Sequence, residues 1–299
     1  MVTSPSNPLV ETDWLATHLD DPDLCIVDLR WRGDGSGRQL YLQSHIPGAI
    51  HLDWHIDLNG DSPDDMLLPP ERFAALMEAN GIGNSTRVVA YAKTDHSGAA
   101  RLWWALRYHG HEQVAVLNGG FTKWLAEGRP VTAELPTPPE TRFVPRLQPH
   151  WLATAADVET AVINPNAGVS LVDTRPVEQY AGRAVWTPHG SLFLPPNQDW
   201  VDLAGRQVRG GRIPGAVHLH ASKNLAEDWT YRSPADLRAL AEAAGVEPGQ
   251  RVILYCGVGI SASLGLFALH LAGYDDLALY DGSWIEWGSD PQRPLERDP

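Results

Sequence analysis

The chain reads as α/β: two tandem domains, each a mostly parallel sheet with helices on both faces. Three observations predict this. Short apolar, β-branched runs alternate with stretches of helical spacing, which is how parallel strands and their helical crossovers are written. Four segments recur in the same order in the two halves of the 299 residues, so one fold is present twice. Between the halves, residues 128–140 are rich in proline and lack periodicity, as a stiff linker does. The division that follows is a first domain over 8–131, a linker over 132–149 and a second domain over 150–299.

In the first copy, residues 14–19 read as a helix, 25–29 as a strand, 70–79 as a helix, 87–91 as a strand, 99–108 as a helix and 113–117 as a strand. The duplication carries this pattern into the second copy. Leu24-Cys25-Ile26-Val27-Asp28-Leu29-Arg30 is echoed by Val169-Ser170-Leu171-Val172-Asp173-Thr174-Arg175, and His45-Ile46-Pro47-Gly48-Ala49-Ile50-His51-Leu52 by Arg212-Ile213-Pro214-Gly215-Ala216-Val217-His218-Leu219. Arg87-Val88-Val89-Ala90-Tyr91 parallels Arg251-Val252-Ile253-Leu254-Tyr255, and Val116-Leu117-Asn118-Gly119-Gly120 parallels Leu279-Tyr280-Asp281-Gly282-Ser283. After the strand ending at Tyr255, an apolar stretch over 262–271 reads as a helix stopped by Gly273. Residues 186–211 carry glycine, proline and aromatics without helical spacing and read as a long surface loop, a partial cover near the strand ends.

An apolar fraction of 43% over this length supports two well-buried cores. The formal net charge of −14 argues against nucleic acid as a partner, since phosphate neutralisation needs clustered Lys and Arg. Residues 1–8 have neither a basic n-region nor an apolar h-region, and no run is long enough to span a bilayer. A cytoplasmic protein with no membrane partner is expected. Two cysteines make no disulfide framework, and Cys25 lies in a core-strand pattern. His45, His51 and His55, and the pair His218 and His220, do not match a zinc spacing, so no metal and no other cofactor is expected.

The stretch that carries chemistry is the turn at Cys256. On periodicity alone Cys256 is as readily a small buried hydrophobe as a reactive group. Its place between a strand and a helix, followed by glycines at 257 and 259, favours a nucleophile at the strand's carboxyl end. The glycines relieve the steric limits on the loop, so successive backbone N–H groups can turn inward as an anion-binding concavity over the opening of the helix. Those donors and the helix-end potential would hold Cys256 as a thiolate.

Cys256-Gly257-Val258-Gly259-Ile260-Ser261-Ala262 resembles the active-site loop of the rhodanese-type sulfurtransferases. The resemblance extends to the segment Arg212 to Leu219, to Tyr280-Asp281-Gly282-Ser283-Trp284-Ile285-Glu286-Trp287, and to most of the first half. It implies two tandem rhodanese-like domains. In the second, Cys256 would accept a sulfur atom from a small anionic donor, carry it as a persulfide and pass it to a thiol, thioredoxin or cyanide. The first copy has Ala92 at the cysteine position and is therefore expected to be inactive. The N–H groups of Gly257, Val258, Gly259, Ile260 and Ser261 would cradle the persulfide as an oxyanion hole does for oxygen. The resemblance assigns Arg175, at a strand end, to the donor anion. Gln179 stands where the family has a second arginine, which leaves Arg183 as the next candidate.

The loop lacks the basic residues that thiosulfate-preferring members carry after the cysteine. It also has Val258 in place of the hydroxyl residue of the mercaptopyruvate-preferring loop. His55 and Met66 align with the acid and histidine of that subfamily's proton relay. Thiosulfate, which needs no proton delivered to carbon, is favoured over 3-mercaptopyruvate. Phosphatases of the same fold carry an arginine six residues after the cysteine; here that residue is Ala262. The remaining alternative is a non-catalytic rhodanese-like binding or regulatory module, against which stand Cys256, both glycines and Arg175.

Overall fold

The computed structural model describes residues 7–60, 67–195, 198–202 and 205–298; Met66 lies outside them. They fall into two compact units. The first comprises the residues up to Gly60, Leu67–Gln148 and Leu225–Tyr231, and the second comprises Pro149–Asn224 and the residues from Arg232 on.

The first unit runs β1 (Leu9–Val10), α1 (Thr12–Ala16), β2 (Leu24–Asp28), α2 (Gly37–Gln43), β3 (Ile50–His51), α3 (Pro70–Ala79), β4 (Arg87–Tyr91), α4 (Ser97–Tyr108), β5 (Val114–Leu117) and α5 (Gly120–Ala126). Among the described residues its sheet has the order β1-β5-β4-β2-β3, every pair parallel. The second unit runs β6 (Leu152–Ala153), α6 (Ala155–Ile163), β7 (Val169–Asp173), α7 (Val177–Tyr180), β8 (Ala184–Thr187), β9 (Gly190–Phe193), β10 (Trp200–Val201), β11 (Gln207–Val208), β12 (Val217–His218), α8 (Pro234–Ala243), β13 (Arg251–Tyr255), α9 (Ile260–Leu271), β14 (Leu277–Tyr280) and α10 (Ser283–Ser289). Its parallel sheet, β12-β7-β13-β14-β6, is the first order read from the other edge. The middle strands β4 and β13 are buried almost throughout because helices cover both faces, which is why they are unbroken apolar runs rather than alternating ones. α4 and α9 follow them and are buried on nearly every side; α9 is accordingly apolar over most of its length, while α4 also buries Arg101.

The duplication reaches the level of single hydrogen bonds. Asp28 pairs in register with Tyr91, and Asp173 with Tyr255. The Tyr91 hydroxyl accepts the Ile46 N–H at 3.3 Å, and that of Tyr255 accepts the Ile213 N–H at 3.1 Å. Tyr41 donates to the Ala49 carbonyl at 2.8 Å and Tyr180 to that of Ala216 at 2.9 Å. Each repeat therefore rebuilds one polar frame under the end of its middle strand.

Two expectations are corrected. The insert over 186–211 is not a structureless loop: β8 pairs antiparallel with β9, and β10 with β11, so it folds as two hairpins. Residues 225–231, written into the second copy, fold with the first unit. There the Tyr231 N–H donates to Asn118 Oδ1 at 2.9 Å, and His96 Nε2 donates to the Trp229 carbonyl at 2.6 Å. His96 is fully buried and not a solvated surface residue, and burial pushes its pKa down to about 4. No helix among the described residues is long and apolar enough to cross a membrane.

Candidate active site

β13 stops at Tyr255 and α9 starts at Ile260, so Cys256 opens a short turn onto a twelve-residue helix. The two glycines of that turn are needed for different reasons. Gly259 is the N-cap at φ 78°, the left-handed region that glycine enters freely. Gly257 is a place of close approach: a Cβ there would lie 2.7 Å from the Cβ of Trp186, so this β8 side chain rests directly on the loop. Cys256 is 1% exposed. Gln179 anchors the hairpin that supplies the cover, its Nε2 donating to Ser191 Oγ on β9 at 2.8 Å.

Among the described residues, nothing accepts a hydrogen bond from the backbone N–H groups of Gly257, Val258, Gly259, Ile260 or Ser261. Five successive donors thus stand unpaired beside a buried thiol, at the positive end of a helix. Buried amides are normally paired, so an unfilled run of this kind suits an anion that arrives from outside.

The first unit also leaves the N–H groups of Lys93, Thr94 and His96 without an acceptor among the described residues, and differs where its helix opens. Ala92 is buried at the cysteine position, and Asp95 Oδ1 accepts the Ser97 N–H at 3.3 Å. Here the chain's own carboxylate meets the opening of α4, while the exposed Lys93 points to no partner in the loop. Ala92→Cys is accordingly expected to leave the number of sulfur atoms carried per chain unchanged at one. Intact-protein mass spectrometry after sulfur loading checks this; two sulfurs per chain in the variant would contradict it.

Arg175 is held on one side and unpaired on the other, its buried Nη1 making no hydrogen bond among the described residues. It is 1% exposed, and its Nε donates to Asp173 Oδ1 at 2.9 Å and its Nη2 to Oδ2 at 2.5 Å and to the Gly211 carbonyl at 2.7 Å. Its guanidinium also lies 4.6 Å from the Trp284 ring centre. Burial lowers the Arg175 pKa, but the Asp173 charge and, among others, that of Cys256 outweigh it, and the net direction is upward. Arg175 is therefore a fixed positive charge within electrostatic reach of the thiol. Arg30 makes the same pair with Asp28 in the copy that has no cysteine, which marks the pair as part of the frame. Arg183 is exposed, and its side chain makes no hydrogen bond, ion pair or ring contact among the described residues.

Reading the sequence missed what holds Cys256 in place. Its N–H donates to Ser283 Oγ at 3.2 Å, and its carbonyl accepts the Trp284 N–H at 2.9 Å. Cys25, by contrast, is a packing residue whose thiol burial pushes up to about 12.

The fold is a duplicated parallel sheet, and its second copy sets one buried thiol beside a run of unpaired amide donors, an arrangement that suits an anion. The chain belongs to the rhodanese family, a family of sulfurtransferases: the rhodanese-like domain matches twice, over residues 11–127 and 154–290. It is 36% identical over 284 residues to the sulfur carrier protein TtuD of Thermus thermophilus, spanning 94% of this chain and 93% of that one. It is also 36% identical over 288 residues to the thiosulfate sulfurtransferase of Bos taurus, spanning 93% and 91%. SseA of Escherichia coli, a 3-mercaptopyruvate sulfotransferase, superposes with a TM-score of 0.78 at 29% identity, over 93% of this chain and 99% of SseA.

Proposed function

We propose that the protein moves a sulfane sulfur from thiosulfate to a thiol or cyanide through a persulfide on Cys256. The Cys256 thiolate attacks the outer sulfur of thiosulfate; the bond between the two donor sulfurs breaks, and sulfite leaves with its electron pair. The terminal sulfur of the resulting persulfide carries the negative charge. An acceptor thiolate or cyanide then attacks that sulfur and the Cys256 thiolate returns. The observation that carries this reading is the run of five unpaired amide donors directly after Cys256. Such donors stabilise a charge that forms late and cost no rearrangement when it does.

Donor choice follows from what surrounds the thiol. Val258 offers no hydroxyl to deliver the proton that the carbon of 3-mercaptopyruvate needs. Thiosulfate needs none, and relatives named thiosulfate sulfurtransferase support the same choice. With Arg175 Nε and Nη2 engaged by Asp173 and Gly211, the groups left for the donor anion are the amide donors and Arg175 Nη1, which is buried and makes no hydrogen bond among the described residues. Arg183, exposed and immediately before β8, is the further candidate for a free cation. Cys256 is buried, and Trp186 rests against Gly257 of its loop.

Mass spectrometry after mixing with thiosulfate and, separately, with 3-mercaptopyruvate tests the proposal. Thiosulfate is expected to add one sulfur to the peptide containing Cys256 and none to that containing Cys25, and 3-mercaptopyruvate to load more slowly. No sulfur gained from either donor would refute the reading; faster loading from 3-mercaptopyruvate would refute the donor choice.

A further inference from the structure

Superimposing the hydrogen bonds of the two repeats isolates what the cysteine-bearing copy has and the other lacks. Both strand-end carbonyls accept a backbone N–H, Leu29 to Tyr91 at 2.7 Å and Thr174 to Tyr255 at 3.1 Å. Both next residues give their carbonyl to a following helix, Ala92 to the Phe121 N–H and Cys256 to the Trp284 N–H, each at 2.9 Å. Two side-chain contacts break the symmetry. Thr174 Oγ1 donates to the Tyr255 carbonyl at 3.1 Å, where the first copy has Leu29. Ser283 Oγ accepts the Cys256 N–H at 3.2 Å and donates to the Tyr280 carbonyl at 2.9 Å, where the first copy has Gly120. Among the described residues nothing accepts the Ala92 N–H.

Ser283 holds its place against a backbone penalty. It is fully buried at φ 50°, in the left-handed region that only glycine occupies without cost, and Gly120 sits at φ 56° in the matching position. A Cβ on Gly120 would lie 2.5 Å from the Ala92 carbonyl oxygen, so the first copy has no room for a hydroxyl there. A strained residue that persists beside a reactive group points to a task at that group. Thr174 is likewise wedged: its Cγ2 would be 2.9 Å from a Cβ on Gly265 of α9, and its Oγ1 is 3.3 Å from Ser261 Oγ at the loop's end.

We infer that Thr174 and Ser283 form a two-hydroxyl clamp on the Tyr255–Cys256 peptide, a pair of positioning residues that fix the direction of the Cys256 side chain for sulfur transfer. One hydroxyl holds the carbonyl side of that peptide, the other the N–H side, so the peptide plane cannot rock. The inference rests on Cys256 being the sulfur carrier.

Single-turnover sulfur loading from thiosulfate, measured across donor concentrations, tests it. S283G removes the hydroxyl and also the strain, so it is expected to melt no lower than the parent protein while loading about tenfold more slowly at saturation, because reacting atoms tolerate little misplacement. T174V is expected to slow loading similarly and T174S to recover the rate, with the half-saturating donor concentration unchanged throughout. Parent-like loading in both S283G and T174V would overturn the clamp, as would a loss confined to half-saturation, which marks a donor contact. Parent protein that gains no sulfur at all would instead overturn the carrier reading, and the clamp with it.

Discussion

Cys256→Ala is expected to abolish sulfur transfer while leaving the fold in place, a loss of at least about a thousandfold, since no other group can take over as the covalent carrier. The first unit states why the fold should tolerate it. Ala92 occupies the same point of the same strand, turn and helix, buried, with its carbonyl still bonded to the N–H of Phe121. The substitution removes one sulfur atom from a site that the repeat has already built with alanine. Thiocyanate formation from thiosulfate and cyanide reads the activity, and thermal melting reads the fold. Turnover that persists in a folded Cys256→Ala variant would transfer the carrier role elsewhere and refute the mechanism.

Much of this fold was legible because its middle strands and their helices are buried on nearly all sides. Arg251–Tyr255 and Arg87–Tyr91 were read at their observed ends, as was Pro70–Ala79, whose proline sits in the first turn. Short elements were missed. α2, α5 and α10 are seven residues each and open on Gly37, Gly120 and Ser283, so they carry too few turns for a periodicity to stand out. Their existence depends on tertiary contact, such as the bonds from Phe121 and Trp284 to the strand-end carbonyls. The Cys256 loop was legible from its spacing. That Arg175 turns inward was not, because the sequence pattern records neither where a guanidinium points nor that Arg30 repeats it. The signal was nonetheless present in the duplication: Asp-x-Arg stands in both copies, and a group kept where there is no cysteine serves the frame.

That argument makes a second prediction of large effect. Arg175→Met should destabilise the second unit by about 3–5 kcal/mol, because it leaves Asp173 buried with no partner for its charge. The Asp173 carboxylate is fully buried and accepts four hydrogen bonds from Arg175, two from Nε, one from Nη2 and one from the backbone N–H, beside a side-chain hydrogen bond with Tyr255. For a unit of this size such a loss lowers the melting temperature by on the order of 10 °C. Arg30→Met in the first unit serves as the comparison. Asp28 is equally buried and has the matching tyrosine, the Tyr91 hydroxyl donating to its Oδ2 at 2.7 Å. Arg30→Met is therefore expected to destabilise in the same direction and by a similar amount. Asp173→Asn combined with Arg175→Met removes both charges and should recover part of the loss, a coupling that a double-mutant cycle measures directly. If instead Arg175→Met melts like the parent protein and only raises the KM for thiosulfate, Arg175 acts on the donor and not on the frame, and the reading of the repeated Asp-x-Arg pair as structural falls.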